Sequence, residues 1–386
     1  MFTSKPSLSS VELEEVLSSF GISDVETSDL PSERDLNLRV TAKDGRQFVL
    51  KLSKHDSLPA LEAQNAVLVS CARLGSVCPQ VVKNVRGESV SSGPRQLLVR
   101  MLTYEPGAPI ALLPGLRSDP TFLSQLGELA GRMDAEFEQS FALAPPPALL
   151  IANFQWDMCN YKSVVQKNRH ALEDDPEFLS LVDRVFAIAD AEIDPVLAAL
   201  PRSVIHGDLN TWNILHSEEG GIKFIDFGLR DLYVFVLVFF KRRDAKGDVI
   251  NSITVGDLAI LIAYCMLETS LGLGMVLESL VRGYEMGRAL SAAEKRAVPA
   301  LAALRLCVSA AVGAAQLRAA PDNAHLALYA RAVKAALPPV LDLLAQRAVL
   351  RPATLAHETF YVGSIFFFFF VLAKVSFYKT KQRWSA

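Results

Sequence analysis

Four polar side chains crowd the ends of two short apolar runs in residues 204–228, VIHGDLNTWNILHSEEGGIKFIDFG: His206, Asp208, Asn213 and Asp226. Reading Ile214 to Ser217 and Ile222 to Ile225 as the arms of a hairpin closed by EEGG predicts that Asn213 faces Asp226 across the open end. An amide oxygen beside a carboxylate is a hard donor pair suited to Mg2+, a cation that keeps waters for phosphate oxygens to replace. Asp208 sits on the preceding loop and can approach the same point, where a carboxylate accepts or orients the proton of an attacking hydroxyl. Singly, each of these residues could do no more than bond turn backbone, as Asx side chains commonly do. Taken together, the four argue for chemistry, with His206 as a ring hydrogen-bonded within the loop.

The elements that must position them read as a small α+β lobe followed by a mostly helical one. Residues 9 to 20 form a helix, with Ser9 and Glu12 spaced as a capping box. LNLRVTA, a turn at KDG and QFVLKLSK then make a β-hairpin with Lys51 in its second strand. A helix from about Leu58 to Leu74 and an apolar strand in QLLVRMLTYEPG, 96 to 107, complete the first lobe. Beyond it, Ala/Leu-rich periodic patterns predict helices at 121–140, 175–199, 257–284, 291–320 and 323–347. The expected organisation is an N-terminal helical extension at 1–28, an N-lobe at 29–104, a C-lobe at 105–350 and an apolar tail at 351–386.

HGDLNTWN followed by FIDFG resembles the H-x-D-x-x-x-x-N loop and the I-D-F-G metal motif of the aminoglycoside phosphotransferase and choline kinase superfamily. LPSERDLNLRV, FVLKL, LGELAGRMDAEF and FQWDM are most similar to its hydroxylysine kinase branch. The resemblance implies a bilobal protein-kinase-like fold and transfer of the γ-phosphoryl group of GTP or ATP, with Mg2+, to a hydroxyl of a small amine or amino acid. The best single guess is 5-hydroxy-L-lysine. It further implies Asp208 as the catalytic carboxylate, Asn213 and Asp226 as Mg2+ ligands, and Lys51 as the lysine that binds nucleotide phosphates. Glu62 is the available ion-pair partner of Lys51, with Gln64 an alternative register. Ser32 lies in SERDLN, the expected phosphate-covering loop, and backbone from about Met101 to Thr103 is expected to meet the nucleobase. Trp156 and Asp157 fall where the relatives build the acceptor pocket, although Asp157 could equally cap a helix.

Two segments depart from that pattern. The family continues its metal motif with a second acidic residue and a short link, whereas here Leu229 begins a long insert, about 229–255, containing LYVFVLVFF. The tail carries FYVGSIFFFFFVLA at 360–373, shorter than the roughly 20 residues a spanning helix needs, so membrane contact through it is conceivable but not the expectation. A non-catalytic kinase-like isoform and a tail-anchored kinase-like protein are therefore the rival readings. A net charge of -3 provides no basic field for nucleic acid, and five scattered cysteines without a C-x-x-C pair suit reduced thiols in a cytoplasmic protein better than disulfides or zinc.

Overall fold

The computed structural model describes residues 6–30, 35–151, 154–227, 249–267, 269–319 and 324–349. Ser32, most of the insert and the apolar tail lie outside them. Met1–Leu344 form one compact unit, and the last residues of the final helix belong to a second, Ala345–Ala386.

Helix α1 (Ser10–Ser19) begins at the capping box expected for it, with Ser9 and Glu12 bonding reciprocally. Its Val16 and Leu17 pack under an antiparallel sheet. Strands β1 (Val25–Leu30), β2 (Leu36–Ala42) and β3 (Gln47–Ser53) follow, then helix α2 (Leu58–Cys71). Strand β1 was not expected: VETSDL carries no apolar alternation, and four of its six residues are exposed on the sheet edge. The sheet is completed by β4 (Val81–Val82), β5 (Ser91–Ser92) and β6 (Leu98–Thr103), in the order β1-β2-β3-β6-β4 with β5 also on β6. Alternation along β3 sends Leu50 and Leu52 into the core shared with α1 and Lys51 to the opposite, half-buried face. The β2–β3 turn is three residues long, closed by Ala42 and Arg46, with Gly45 at φ 86° where a side chain would be strained.

The helical part opens with β7 (Ala108–Pro109), α3 (Pro114–Arg117), α4 (Pro120–Ser140), α5 (Tyr161–Asn168), α6 (Pro176–Glu192) and α7 (Asp194–Leu197). Four short strands follow, β8 (Arg202–Ile205), β9 (Ile214–His216), β10 (Ile222–Phe224) and β11 (Ile250–Ile253), in two small sheets, β10-β9-β7 and β11-β8. The chain ends in α8 (Gly256–Cys265), α9 (Leu273–Gly287), α10 (Ala292–Ala319) and α11 (Ala324–Val349). The helix expected over 257–284 is two helices, α8 and α9, because SLGLG interrupts the pattern with two glycines. Helix α10 is long and apolar enough to cross a membrane, yet it is the buried axis of this part, with 94% of its apolar window inside the protein. The downstream end of the insert is part of the fold: Val249 and three of the four residues of β11 are buried, and β11 pairs antiparallel with β8 from Ile250↔Ile205 to Ile253↔Arg202.

Candidate active site

Strand β8 delivers the chain into the loop His206 to Asn213, and β9 takes it out again. That loop is held from below by Asp257, in the first turn of α8, whose carboxylate accepts the backbone N–H of His206 at 2.7 Å and of Gly207 at 2.8 Å. The His206 ring stays inside the loop, as expected from the sequence. Its Nδ1 accepts the Asp208 N–H at 3.3 Å, and its Nε2 donates to the carbonyl of Ile225 at 2.9 Å, which fixes the tautomer and ties the loop to the residue before Asp226. Burial lowers the pKa of His206, which favours the neutral ring these bonds require.

Asp208 is fully buried. Its Oδ2 accepts from the side-chain amides of Asn210 and, at 2.7 Å, Asn213; its Oδ1 accepts from Arg305 Nη2 at 2.9 Å. Burial pushes the Asp208 carboxyl up to about 7, with Arg305 opposing the rise and the nearby Asp226 charge adding to it. A carboxylate so placed is poised near neutral pH, the range in which a proton acceptor works best.

The hairpin that carries Asp226 differs in register from the expectation. Its loop is the three-residue 218–220, with Ser217 bonded to Gly221 and Gly220 at φ 84°, the same turn as between β2 and β3. His216 therefore pairs with Ile222 and Ile214 with Phe224, and the carbonyl of Asn213 meets the N–H of Ile225 rather than Asp226. The EEGG reading misplaced the pairing by one residue because Gly221 belongs to the strand side of the turn. Asp226 reaches the site another way, through a left-handed backbone at φ 64°. This conformation costs a non-glycine residue roughly 1–2 kcal/mol, and such strain clusters at functional positions. Its side chain lines a small cleft with Lys51, Arg100 and Phe227.

Asn213 and Asp226 are a suitable donor set for a hard divalent cation. The amide nitrogen of Asn213 is committed to Asp208, at 3.0 Å to the carbonyl and 2.7 Å to Oδ2, which leaves the oxygen end for a cation. Amide and carboxylate oxygens are the ligands Mg2+ prefers.

Other expectations are corrected. Glu62 is exposed, while the same helix buries Gln64, so Gln64 and not Glu62 takes the inward register. Met101 lies inside the sheet, paired with Leu50 on one side and Val82 on the other, and the Thr103 N–H donates to the carbonyl of Gln80. The Thr103 hydroxyl donates to Glu105 at 2.8 Å. Asp157 caps a short helical turn by accepting the Cys159 N–H at 2.9 Å and also accepts from the Ser252 hydroxyl, so the capping reading is the one realised.

Three residues were given no role at the site from the sequence. Asp257 looks like an ordinary first-turn aspartate, and Asp134, fully buried on α4, looks like one more polar position on an amphipathic helix. Asp134 lies against Asp257, and burial followed by the Asp257 charge raises its pKa well above the usual carboxylate range. Arg305 had a visible signal, a lone cation inside the apolar run of α10.

The sequence profile of the phosphotransferase enzyme family matches residues 28–233, which include the loop, the hairpin and Lys51. The chain belongs to this family. Hydroxylysine kinase of Bos taurus is 30% identical over 340 residues, covering 83% of this chain and 85% of that protein. Among solved structures, an amicoumacin kinase in complex with AMP-PNP, Ca2+ and Ami superposes with a TM-score of 0.58 at 17% identity, over 84% of this chain and 92% of that one. An aminoglycoside phosphotransferase from Alicyclobacillus acidocaldarius gives 0.59 at 13% identity, over 87% and 96%. These structural likenesses carry the fold, the α+β kinase architecture expected from the motifs. As a member of the phosphotransferase family, the protein is a small-molecule kinase with an alcohol group as acceptor.

Proposed function

We propose that this protein transfers the γ-phosphoryl group of GTP or ATP to the hydroxyl of an amino acid or amine, with 5-hydroxy-L-lysine as the first candidate. The observation that carries the reading is the Asp208 carboxylate, buried and gripped on both oxygens inside the loop that also presents Asn213. The acceptor is favoured by the 30% identity to a hydroxylysine kinase over most of both chains.

In this reading Asp208 accepts the proton of the acceptor hydroxyl as the oxygen attacks the γ-phosphorus. A new O–P bond forms, the bond from the γ-phosphorus to the β,γ-bridging oxygen breaks, and the nucleoside diphosphate leaves with that electron pair. Asn213 and Asp226 would hold Mg2+, which supplies charge neutralisation on the phosphates when bound. Lys51, half-buried on the cleft that Asp226 also lines, would offer its ammonium to the phosphate oxygens. Transfer of this kind depends on positioning and electrostatics rather than on a covalent enzyme intermediate. The five cysteines of the chain are all free thiols, which supports action in the reducing cytoplasm.

The test is a turnover screen of the full chain with GTP or ATP, Mg2+ and a panel of hydroxylated amino acids and amino alcohols. Phosphorylation of 5-hydroxylysine, lost in Asp208→Asn, is the expected result. Turnover of another amino alcohol with no reaction of hydroxylysine would overturn the acceptor, and no transfer to any hydroxyl would overturn the catalytic reading.

A further inference from the structure

Arg305 is fully buried on α10, yet it is 97 residues from the carboxylate it meets. A guanidinium is costly to remove from water and is retained where its planar donors are used geometrically. Here Nη2 donates to Asp208 Oδ1 at 2.9 Å and Nη1 to the carbonyl of Trp156 at 3.3 Å. The guanidinium carbon stands 4.8 Å from the centre of the Trp156 ring and 5.7 Å from that of Tyr264. Trp156 comes from the segment before α5 and Tyr264 from α8, so the cation is fixed by three separate parts of the chain.

The consequence falls on Asp208. Its two oxygens are gripped from different sides, Oδ2 by the amides of Asn210 and Asn213 in its own loop and Oδ1 by Arg305 from α10. The loop contacts hold one carboxylate oxygen, Oδ2, and leave Oδ1 without a donor from the loop. The contact to Arg305 fixes Oδ1 as well, so that both oxygens, and with them the carboxyl plane, are set from two sides.

We infer that Arg305 is a positioning residue for phosphoryl transfer, setting the plane of the Asp208 carboxylate so that it meets the acceptor hydroxyl. The inference rests on the reading of Asp208 as the group that takes the hydroxyl proton. A purely structural role for Arg305 would consist in neutralising a buried charge and filling the space between Trp156 and Tyr264. The two roles separate in a double-mutant cycle on kcat, because positioning acts only through the carboxylate of Asp208 whereas packing acts regardless of it.

The experiment compares parent, Arg305→Met, Arg305→Lys, Asp208→Asn and Asp208→Asn/Arg305→Met, using transfer of radiolabelled γ-phosphate to the acceptor found in the screen. Arg305→Met should lower kcat by about 10²-fold, the scale of a misplaced catalytic group, with the nucleotide KM shifted by less than about threefold. Arg305→Lys should recover part of the loss, since it returns the charge without the planar fork. In the Asp208→Asn background, Arg305→Met should change the residual rate by less than about threefold. A further fall of about 10²-fold in that background, or an Arg305→Met rate close to that of the parent, would overturn the inference. Parental kcat in Asp208→Asn would instead defeat the reading on which it rests, a separate result. If Arg305→Met alone does not fold, by circular dichroism, the lysine variant and the charge-neutral double variant carry the comparison.

Discussion

The carboxylate of Asp257 accepts the backbone N–H groups of both His206 and Gly207, so one side chain from α8 carries the loop that presents Asp208. Both residues are buried, and Asp257 is the acceptor of each N–H. Asp257→Ala should therefore leave two buried donors unsatisfied at about 1–3 kcal/mol each. The expected outcome is a large fall in melting temperature with kcat reduced in the folded fraction; a variant that melts within a degree or so of the parent would remove Asp257 from this role.

Asp226 holds a strained left-handed backbone while its side chain lines the cleft with Lys51. Asp226→Ala should weaken Mg2+-dependent nucleotide binding by about tenfold or more, the scale seen even when an outer partner of a metal site is lost. Titration of Mg2+ at fixed nucleotide reads this directly. An unchanged metal dependence would leave Asp226 as a turn residue and nothing more.

Asp134 titrates in the opposite sense from a salt-bridged aspartate. Its folded pKa is raised well above the ordinary carboxylate range, first by burial and then by the Asp257 charge, so the native state binds more protons than the unfolded chain once pH passes that range. Its contribution to stability is fully present at low pH and is lost as pH rises through the raised folded pKa. Asp134→Asn keeps an acceptor for the Tyr284 hydroxyl, which lies 2.5 Å from the carboxylate, but removes the titration. Relative to this variant, the parent should lose stability in urea unfolding as pH rises through the range above about 4, the ordinary aspartate value. A constant difference across that range would show that the pair does not titrate with folding.

The pairing of α4 with α9 offers a test of packing with two signs. A Cβ on Gly283 of α9 would stand 1.9 Å from the Ser124 carbonyl oxygen, whereas one on Gly313 of α10 would have nothing within 4 Å. Alanine gains about 1 kcal/mol over glycine in a helix, and this wins at Gly313, where Gly313→Ala should raise the melting temperature. At Gly283 overpacking against backbone costs about 1–3 kcal/mol or more, so Gly283→Ala should lower it. Differential scanning calorimetry on the two variants decides; a rise for Gly283→Ala would refute the close approach of α4 and α9, and a fall for Gly313→Ala would refute the open space on α10.

The local parts of the site were legible because they depend on neighbours in sequence. HGDLNTWN and FIDFG place Asp208, Asn213 and Asp226 within one loop and one hairpin, and the alternation around Lys51 fixes its strand. One glycine was enough to shift the hairpin register, since EEGG can close a loop of three residues or four and only the backbone at Gly220 chooses. Strand β1 was silent because an exposed edge strand needs no apolar face. The supports of Asp208 were silent for another reason. Arg305 and Asp257 act on a loop 97 and about 50 residues away, and no spacing rule joins a cation on a buried helix to the carboxylate it will meet. Trp156 was expected at the acceptor pocket, but its carbonyl and ring serve Arg305.

The insert gives the last prediction, in a form narrower than its sequence alone suggested. LYVFVLVFF, residues 232–240, is a nine-residue apolar run of high β-propensity, the kind of segment that drives association when exposed. Its downstream end is a different matter. Val249 is fully buried, and β11 pairs residue for residue with β8, the strand that leads directly into His206. The Ser252 hydroxyl also bonds Asp157, and the carbonyl of Asn251 accepts from Arg202 at 3.1 Å. A polar link replacing 230–247 should therefore raise soluble yield while turnover per folded molecule is kept. The loop-closure cost of a change in length is small, about 0.6 kcal/mol per doubling, and does not decide the result. Extending the deletion through Ile253 removes the partner of β8, and that variant should lose stability and turnover together. Equal soluble yields for the parent and the shorter deletion would show that the apolar run is accommodated, and unchanged activity in the longer one would show that β11 does not hold the catalytic loop.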